Sequence, residues 1–147
     1  MRIFIVGAGE VGFHIAASLV PEGHDLVVIE ANPDHVQKVT NELDVLAVHG
    51  DGCEPALLLK HGVLQADLFF SVSDSDAVNL LAALTARRLG AKQCIARLGN
   101  ALYGDNPLLV ADPDIIPFYP ERLVAEEILG LTRIPGVSKA HFFEDEK

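Results

Sequence analysis

The chain has 147 residues, 50% of them hydrophobic, and a formal net charge of −10 at pH 7. This length and composition predict one folded domain with a buried core and exclude a largely disordered chain. The acidic charge argues against nucleic acid as a partner and against direct docking on anionic lipid, because phosphate groups attract basic surfaces. No run approaches the roughly 18 apolar residues of a membrane span, so we expect no direct membrane insertion.

The first predicted strand, residues 2–6, runs directly into Gly7-Ala8-Gly9-Glu10-Val11-Gly12. A helix pattern follows over residues 11–19. A G-x-G-x-x-G between a strand and a helix is typical of dinucleotide binding. Gly7 permits the tight turn, Gly9 lets backbone N–H groups approach a pyrophosphate, and Gly12 allows close packing of helix and strand. The alternative is a glycine turn that serves packing only.

The second predicted strand, residues 25–30, ends in Glu30-Ala31. A carboxylate at this position can accept hydrogen bonds from both ribose hydroxyls, and it repels a 2′-phosphate, so the pattern favours NAD over NADP. Glu30 and Ala31 are therefore candidate cofactor contacts, although Glu30 can also be read as an exposed strand end. The next helix starts at Asn32-Pro33-Asp34, where Asn32 is suited to cap it and Pro33 to fill its first position.

The third predicted strand, residues 44–49, is followed by Gly50-Asp51-Gly52-Cys53 and a helix over residues 55–61. Two glycines around an acid predict a loop that approaches a ligand closely. Gly52 is a candidate cofactor contact in this loop, and Asp51 or Cys53 is placed to meet the adenine edge. A metal site made by His49, Asp51 and Cys53 is the alternative, but the sequence has no further ligands at metal-binding spacing. Free thiols in a reducing cytosol are the expectation for both cysteines, because they form no C-x-x-C pair.

The fourth and fifth predicted strands, residues 66–72 and 93–97, flank a helix over residues 77–89 that Ser75 or Asp74 caps. The fourth strand ends at Val72, and Ser73 and Asp74 come next. These three residues are candidate ligand contacts, and the alternative is that this loop serves as a helix cap alone. Arg97 ends the fifth strand and is a cation able to meet phosphate oxygens, or else a partner in an ordinary ion pair.

A short sixth strand, residues 115–116, and a last helix, residues 120–131, complete the predicted elements. Repeated β-α-β units predict an α/β fold, a doubly wound Rossmann-type parallel sheet with the strand order 3-2-1-4-5-6. Residues 1–136 form the predicted nucleotide-binding domain. Residues 137–147 are either a tail or the start of a truncated C-terminal domain.

Catalytic motifs are missing from this sequence. It has no H-E-x-x-H, no G-x-S-x-G and no phosphate-binding G-K-[ST]. The prediction is therefore binding without chemistry and no enzyme activity. One alternative is the cofactor-binding half of a small NAD-dependent oxidoreductase. The other is a redox-sensing regulator of transcription, and the acidic charge argues against this second alternative.

Taken together, these segments resemble the N-terminal RCK domain, also called KTN or TrkA-N, of potassium channel and transporter regulators, and the TrkA-type subunits in particular. The resemblance runs from residue 1 to about residue 136. Its motifs, besides the first glycine motif, are Glu22-Gly23-His24-Asp25, Leu43-Asp44-Val45, Gly50-Asp51-Gly52, Ala66-Asp67-Leu68, Ser75-Asp76 with Asn79, Ile95-Ala96-Arg97, Pro120-Glu121 and Ile134-Pro135-Gly136.

The resemblance implies a regulatory domain that binds NAD(H), or else ATP or ADP, and changes shape with the ligand. It also implies a homodimer or larger ring in the cytoplasm, at the inner face of the cell membrane, attached to a potassium channel or transporter subunit. Family contacts to adenine and ribose would fall on Glu30, Asp51 and Cys53, with Val72 and Ser73 lining the crevice. Arg97 would sense phosphate, and the helix around residues 123–131 would pack in the dimer.

Two residues depart from the family pattern. Cys53 stands where serine or threonine is usual, and Ala77 stands where an acid is common. Both departures bear on ligand preference. A C-terminal RCK half is not found in this sequence, which suggests an isolated domain.

Overall fold

The computed structural model describes residues 1–100, 103, 106–107 and 111–120. The strands in this part of the chain are β1 (Arg2–Val6), β2 (Asp25–Glu30), β3 (Leu46–His49), β4 (Leu68–Ser71), β5 (Gln93–Arg97) and β6 (Ile115–Phe118). The helices are α1 (Glu10–Leu19), α2 (Pro33–Glu42), α3 (Pro55–Lys60) and α4 (Asp76–Leu89). Short 3₁₀ turns occur at Val20–Glu22 and Val63–Gln65.

The six strands form one parallel sheet in the order β3-β2-β1-β4-β5-β6. The predicted order 3-2-1-4-5-6 and the Rossmann-type fold are therefore confirmed. β1 lies at the centre, where Ile5 pairs with Val28 on one side and with Phe70 on the other. The chain after β1 continues to β2 on one side, and the chain after β4 continues to β5 on the other side. Because these two connections leave in opposite directions, a crevice opens between the carboxyl ends of β1 and β4.

The core lies on both faces of the sheet, which is why its central strands read as continuous apolar runs. On one face, Phe4 and Phe69 stack with ring centroids 6.0 Å apart, and they belong to a buried cluster with residues of α3 and α4. On the other face, Ile3 and Ile5 belong to a cluster with residues of α1 and α2. Helices on both faces hold the carboxyl edge of the sheet in a fixed geometry.

Three strands differ from their predicted bounds. β3 starts at Leu46 and not at residue 44, because its ladder with β2 begins at the Val27–Leu46 pair. β4 covers Leu68–Ser71 and not residues 66–72, since its ladder with β1 begins at Leu68. β6 continues through Pro117 to Phe118, because in the described sheet it is an edge strand, where proline is tolerated.

The helices also differ slightly from prediction, by one residue at the start of α1 and α4 and at the end of α3. Residues 121–131 of the predicted last helix and the predicted tail, residues 137–147, lie outside the described residues. None of the helices in the described part of the chain is both long and apolar enough to span a membrane.

Candidate nucleotide site

The loop after β1 has a backbone shape that only glycine accommodates easily. Gly7 has a φ of +100°, and its N–H donates to the Ile29 carbonyl oxygen at 2.9 Å. A Cβ atom on Gly7 would lie 2.8 Å from the Ser73 nitrogen, closer than non-bonded atoms allow. The end of β1 therefore turns in direct contact with the chain that follows β4.

The start of α1 is closed on its inner side and open on its outer side. A Cβ atom on Gly12 would lie 1.7 Å from the Gly7 carbonyl oxygen, whereas a Cβ atom on Gly9 would meet nothing within 4 Å. No side chain caps this helix. Glu10 is exposed and Val11 is half-buried. The N–H groups at such a helix start, together with the helix dipole, favour an anion.

Glu30 links the second strand to the glycine loop. Its Oε1 accepts from the Ala8 N–H at 2.6 Å, and its Oε2 accepts from the Asn32 N–H at 2.7 Å. The His35 ring lies 3.4 Å from Oε1. Partial burial raises the pKa of Glu30, but the hydrogen bonds from Asn32, Ala8 and His35 outweigh it, so this pKa lies below its usual value.

The sequence hypothesis that Glu30 is merely an exposed strand end does not fit this geometry. Its side chain is only 12% exposed, and both carboxylate oxygens already accept a backbone hydrogen bond. Oε2 retains a second lone pair that a ribose hydroxyl would use, and the second lone pair of Oε1 faces only the long His35 contact. Ala31 beside it is exposed, and its carbonyl oxygen lies 2.9 Å from His49 Nε2.

The loop after β3 lies against the end of β1. A Cβ atom on Gly52 would lie 2.3 Å from Val6 Cγ1, so the backbone of this loop rests on the side chain of Val6. Asp51 is exposed, and its Oδ1 accepts from the Cys53 N–H at 2.8 Å. This side-chain turn fixes the loop and presents the carboxylate to solvent.

Cys53 is half-buried, and its thiol contacts the Val78 carbonyl oxygen at 3.5 Å. Burial and the nearby Asp51 charge raise the pKa of Cys53 to about 11. The thiol is therefore neutral at pH 7, which does not favour a nucleophile or a metal ligand. Among the described residues, no group of three or more histidine, cysteine or acidic side chains is placed to hold a metal ion.

The loop after β4 forms the other wall of the crevice. Val72 is buried, and its N–H donates to the Val6 carbonyl oxygen at 2.8 Å. Ser73 is half-buried and Asp74 is exposed. Ser75 caps α4, since its Oγ accepts from the Val78 N–H at 3.2 Å. The cap function thus belongs to Ser75 and not to Asp74, and Ser73 lies beside the glycine loop.

Arg97, at the end of β5, reaches across to this wall. Its Nη1 lies 3.3 Å from the Ser73 carbonyl oxygen and 3.5 Å from Asp74 Oδ1. The ion pair that the sequence left open therefore exists, but it is long and Asp74 is fully exposed. Exposed pairs of this kind contribute little to stability, so a phosphate group can replace Asp74 at small cost.

Two site-forming residues, Asn79 and Asp76, were not among the predicted contacts. Asn79 is fully buried and hydrogen-bonds to both Ser73 and Arg97. Asp76 accepts from the N–H groups of Gly99 and Asn100, at 2.8 and 3.1 Å. A signal for Asn79 was present in the sequence, since it is the polar member of a helix face that is otherwise apolar.

The candidate residues thus come together along the carboxyl ends of five strands. Direct contacts join Gly7 to Ser73, Ala8 to Glu30, and Ser73 to Arg97. The TrkA-N domain model matches residues 3–107. The chain belongs to the TrkA-N domain family. This membership confirms the family predicted from the motifs.

A curated relative of this TrkA-N chain is the Trk system potassium uptake protein TrkA homolog of Archaeoglobus fulgidus. The two are 40% identical over 150 residues, which cover 100% of this chain and 34% of the relative. The TrkA-N chain therefore spans about a third of that relative's length.

Solved structures share the fold of this TrkA-N chain. The TrkA-N domain of the inner membrane protein ybaL from Escherichia coli has a TM-score of 0.71 at 21% identity, covering 88% of this chain and 95% of that one. The GsuK channel bound to NAD has a TM-score of 0.68 at 22% identity, covering 88% and 22%. GsuK bound to ADP has a TM-score of 0.67 at 22% identity, covering 79% and 31%.

Proposed function

We propose that this chain is the nucleotide-binding part of a regulatory subunit that gates a potassium channel or potassium uptake transporter. NAD(H) is the proposed ligand, with ATP or ADP as the alternative, and ligand binding shifts the protein between two conformations. The protein has no catalytic role in this proposal. It works in the cytoplasm as a homodimer or larger ring, held at the inner face of the membrane by its potassium-transporting partner.

The nucleotide part rests on one observation, the open and uncapped start of α1 beside the Glu30 carboxylate. The phosphates of a dinucleotide would meet the N–H groups around Gly9, and its adenosine ribose would meet Glu30. Arg97 would meet phosphate oxygens from the opposite wall. The remaining proposed contacts are Gly7, Ala8, Glu10, Val11, Gly12, Ala31, Asp51, Gly52, Cys53, Val72, Ser73 and Asp74.

The regulatory part is supported by the 40% identity to a potassium uptake protein TrkA homolog. The choice of NAD or ADP as the ligand is supported by two structures of GsuK, one bound to NAD and one bound to ADP. A ligand changes a conformational equilibrium only if its affinity differs between the two states. Residues 1–136 are the proposed nucleotide-binding unit, and residues 137–147 are a tail or the beginning of a further domain.

Binding is tested by thermal-shift titration of the chain with NAD, NADH, NADPH, ATP and ADP, because a bound ligand raises the melting temperature. We expect NADH to bind more tightly than NADPH, since Glu30 repels a 2′-phosphate. ADP and 2′-deoxy-ADP are then compared on wild type and Glu30→Ala. The preference for ADP should disappear in Glu30→Ala, and equal binding of NADH and NADPH to wild type would contradict the role of Glu30.

Regulation is tested separately, with a Trk-type membrane subunit reconstituted in liposomes. Potassium flux is measured with the chain added and with each nucleotide in turn. We expect the flux to depend on the nucleotide with wild type and not with Gly9→Ala. Nucleotide binding without any effect on flux would refute the regulatory role and leave the binding role intact.

A further inference from the structure

Asn79 lies at the junction of two strand ends, and its amide group has every hydrogen-bonding position occupied. Its Oδ1 accepts from the N–H and the hydroxyl of Ser73, at 2.8 and 2.7 Å. Its Nδ2 donates to the carbonyl oxygens of Ser73 and Arg97, both at 2.9 Å. An asparagine amide has two donor hydrogens and two acceptor lone pairs, and the side chain is fully buried. The contacts of Asn79 therefore hold both strand ends in one arrangement.

The same carbonyl that Asn79 holds also contacts the Arg97 guanidinium. The Ser73 carbonyl oxygen accepts from Asn79 Nδ2 at 2.9 Å and lies 3.3 Å from Arg97 Nη1. Asn79 thus fixes Arg97 at two places. It binds the Arg97 backbone carbonyl directly, and it binds the Ser73 carbonyl oxygen that the Arg97 guanidinium contacts. The ribose side of the crevice is held by a different group, the Glu30 carboxylate on Ala8.

We propose that Asn79 is a positioning residue of the nucleotide site, which holds Arg97 where the guanidinium meets the phosphate groups of the ligand. The inference rests on the proposed function, because it requires a nucleotide at this edge of the sheet. Since Asn79 acts on the phosphate side, its loss should weaken the recognition of phosphate and leave the recognition of the nucleoside unchanged.

The test compares ADP with adenosine by calorimetric titration of wild type, Asn79→Ala, Arg97→Ala and the double variant. Each single substitution should weaken ADP binding by about tenfold, the size expected for a charge-assisted hydrogen bond. Adenosine binding should change by less than about twofold in each variant, within the usual error of additivity. The double variant should bind ADP as Arg97→Ala does, because two residues that act through one contact are not additive.

Leu80→Ala is the matched control, since it removes a neighbouring core side chain and should lower stability without changing the ratio of ADP to adenosine affinity. If Asn79→Ala does not fold, Asn79→Ser replaces it in the test. The serine hydroxyl is too short to reach the carbonyls of both Ser73 and Arg97, so the same selective loss of ADP affinity is expected. Equal losses of ADP and adenosine, or a double variant in which the two losses multiply, would overturn the proposal. Normal ADP binding by Arg97→Ala, or no ADP binding by wild type, would also overturn it. Wild type that binds neither ADP nor NADH would refute the proposed function itself.

Discussion

At the scale of single residues, the glycines of the first loop have different physical constraints although they share one motif. Gly12 is fixed by packing, since its Cβ would lie 1.7 Å from the Gly7 carbonyl oxygen. Gly9 faces open space, so nothing in the fold itself requires a glycine there. What a side chain at position 9 would obstruct is the approach of a ligand to the helix start.

The pair Gly9→Ala and Gly12→Ala separates binding from folding. We expect Gly12→Ala to lose about 2 kcal/mol of unfolding free energy through overpacking. Gly9→Ala should keep stability within about 1 kcal/mol and weaken NADH binding by about tenfold or more, because its methyl group lies where the pyrophosphate approaches. Urea unfolding and NADH titration measure the two effects, and a Gly9→Ala variant with unchanged NADH affinity would contradict the site.

Glu30 gives the fold a defined dependence on pH. Its pKa in the folded chain lies below the usual value of 4.5, so folding favours its charged form. The stability that it contributes is present above pH 4.5 and is lost as the pH falls through the lower folded-state pKa. Glu30→Gln keeps the size of the side chain but not the charge.

We therefore expect wild type to be more stable than Glu30→Gln at pH 7, and the difference to shrink below about pH 4.5. Urea unfolding at several pH values between 7 and 3 measures this difference. A stability difference that stays constant over the whole range would show that the charge of Glu30 does not stabilise the glycine loop.

At the scale of elements, α2 shows how a local sequence signal fixes the start of a helix. Asn32 accepts from the Asp34 N–H at 2.9 Å through its side chain, and Pro33 fills the first helical position. The backbone N–H of Asn32 meanwhile donates to Glu30. The cap therefore joins the start of α2 to the carboxylate that holds the glycine loop.

Two Asn→Ala substitutions in this helix should have different effects. Asn32→Ala removes the cap and should cost about 1 kcal/mol. Asn41→Ala, near the other end, removes one exposed contact with Gln37 and should be neutral or slightly stabilising, because alanine has the higher helix propensity. Thermal unfolding compares them, and equal effects of the two substitutions would contradict the capping role of Asn32.

Elements of this fold were predictable where the signal is local. The apolar runs of β1, β2 and β5 and the cap at Asn32 gave correct bounds, since they depend on neighbouring residues only. The start of β3 was wrong because it depends on where the ladder with β2 begins. The contacts of Asn79 were not predictable, since its bond to the Arg97 carbonyl joins residues 18 apart in sequence through the packing of α4 on β5.

At the scale of the whole molecule, an acidic protein is proposed to bind an anion. The net charge is −10, and the carboxyl edge of the sheet includes exposed acids such as Glu10, Asp51 and Asp74. Arg97 and the N–H groups of α1 attract phosphate at short range, while the whole chain repels it at long range. Salt screens the long-range repulsion more strongly than the short-range attraction.

We expect ATP affinity to rise relative to NAD affinity as salt is raised from low to physiological concentration, because ATP is the more highly charged ligand. Titrations at a series of concentrations of an inert chloride salt measure the ratio of the two affinities. A steep loss of ATP affinity with salt, as at a basic site, would show that short-range cations dominate instead.

The hydrogen bond from the Ala8 N–H to Glu30 has a consequence for how a ligand could act as a signal. Since backbone N–H groups of Ala8 and Asn32 hold both carboxylate oxygens of Glu30, the adenosine side of the site is rigid and pays little ordering entropy on binding. A surface that keeps one geometry in both conformations binds a ligand equally in each, and equal binding shifts no equilibrium. The difference in affinity that shifts the two conformations must then arise at the phosphate groups, where Arg97 has a displaceable partner.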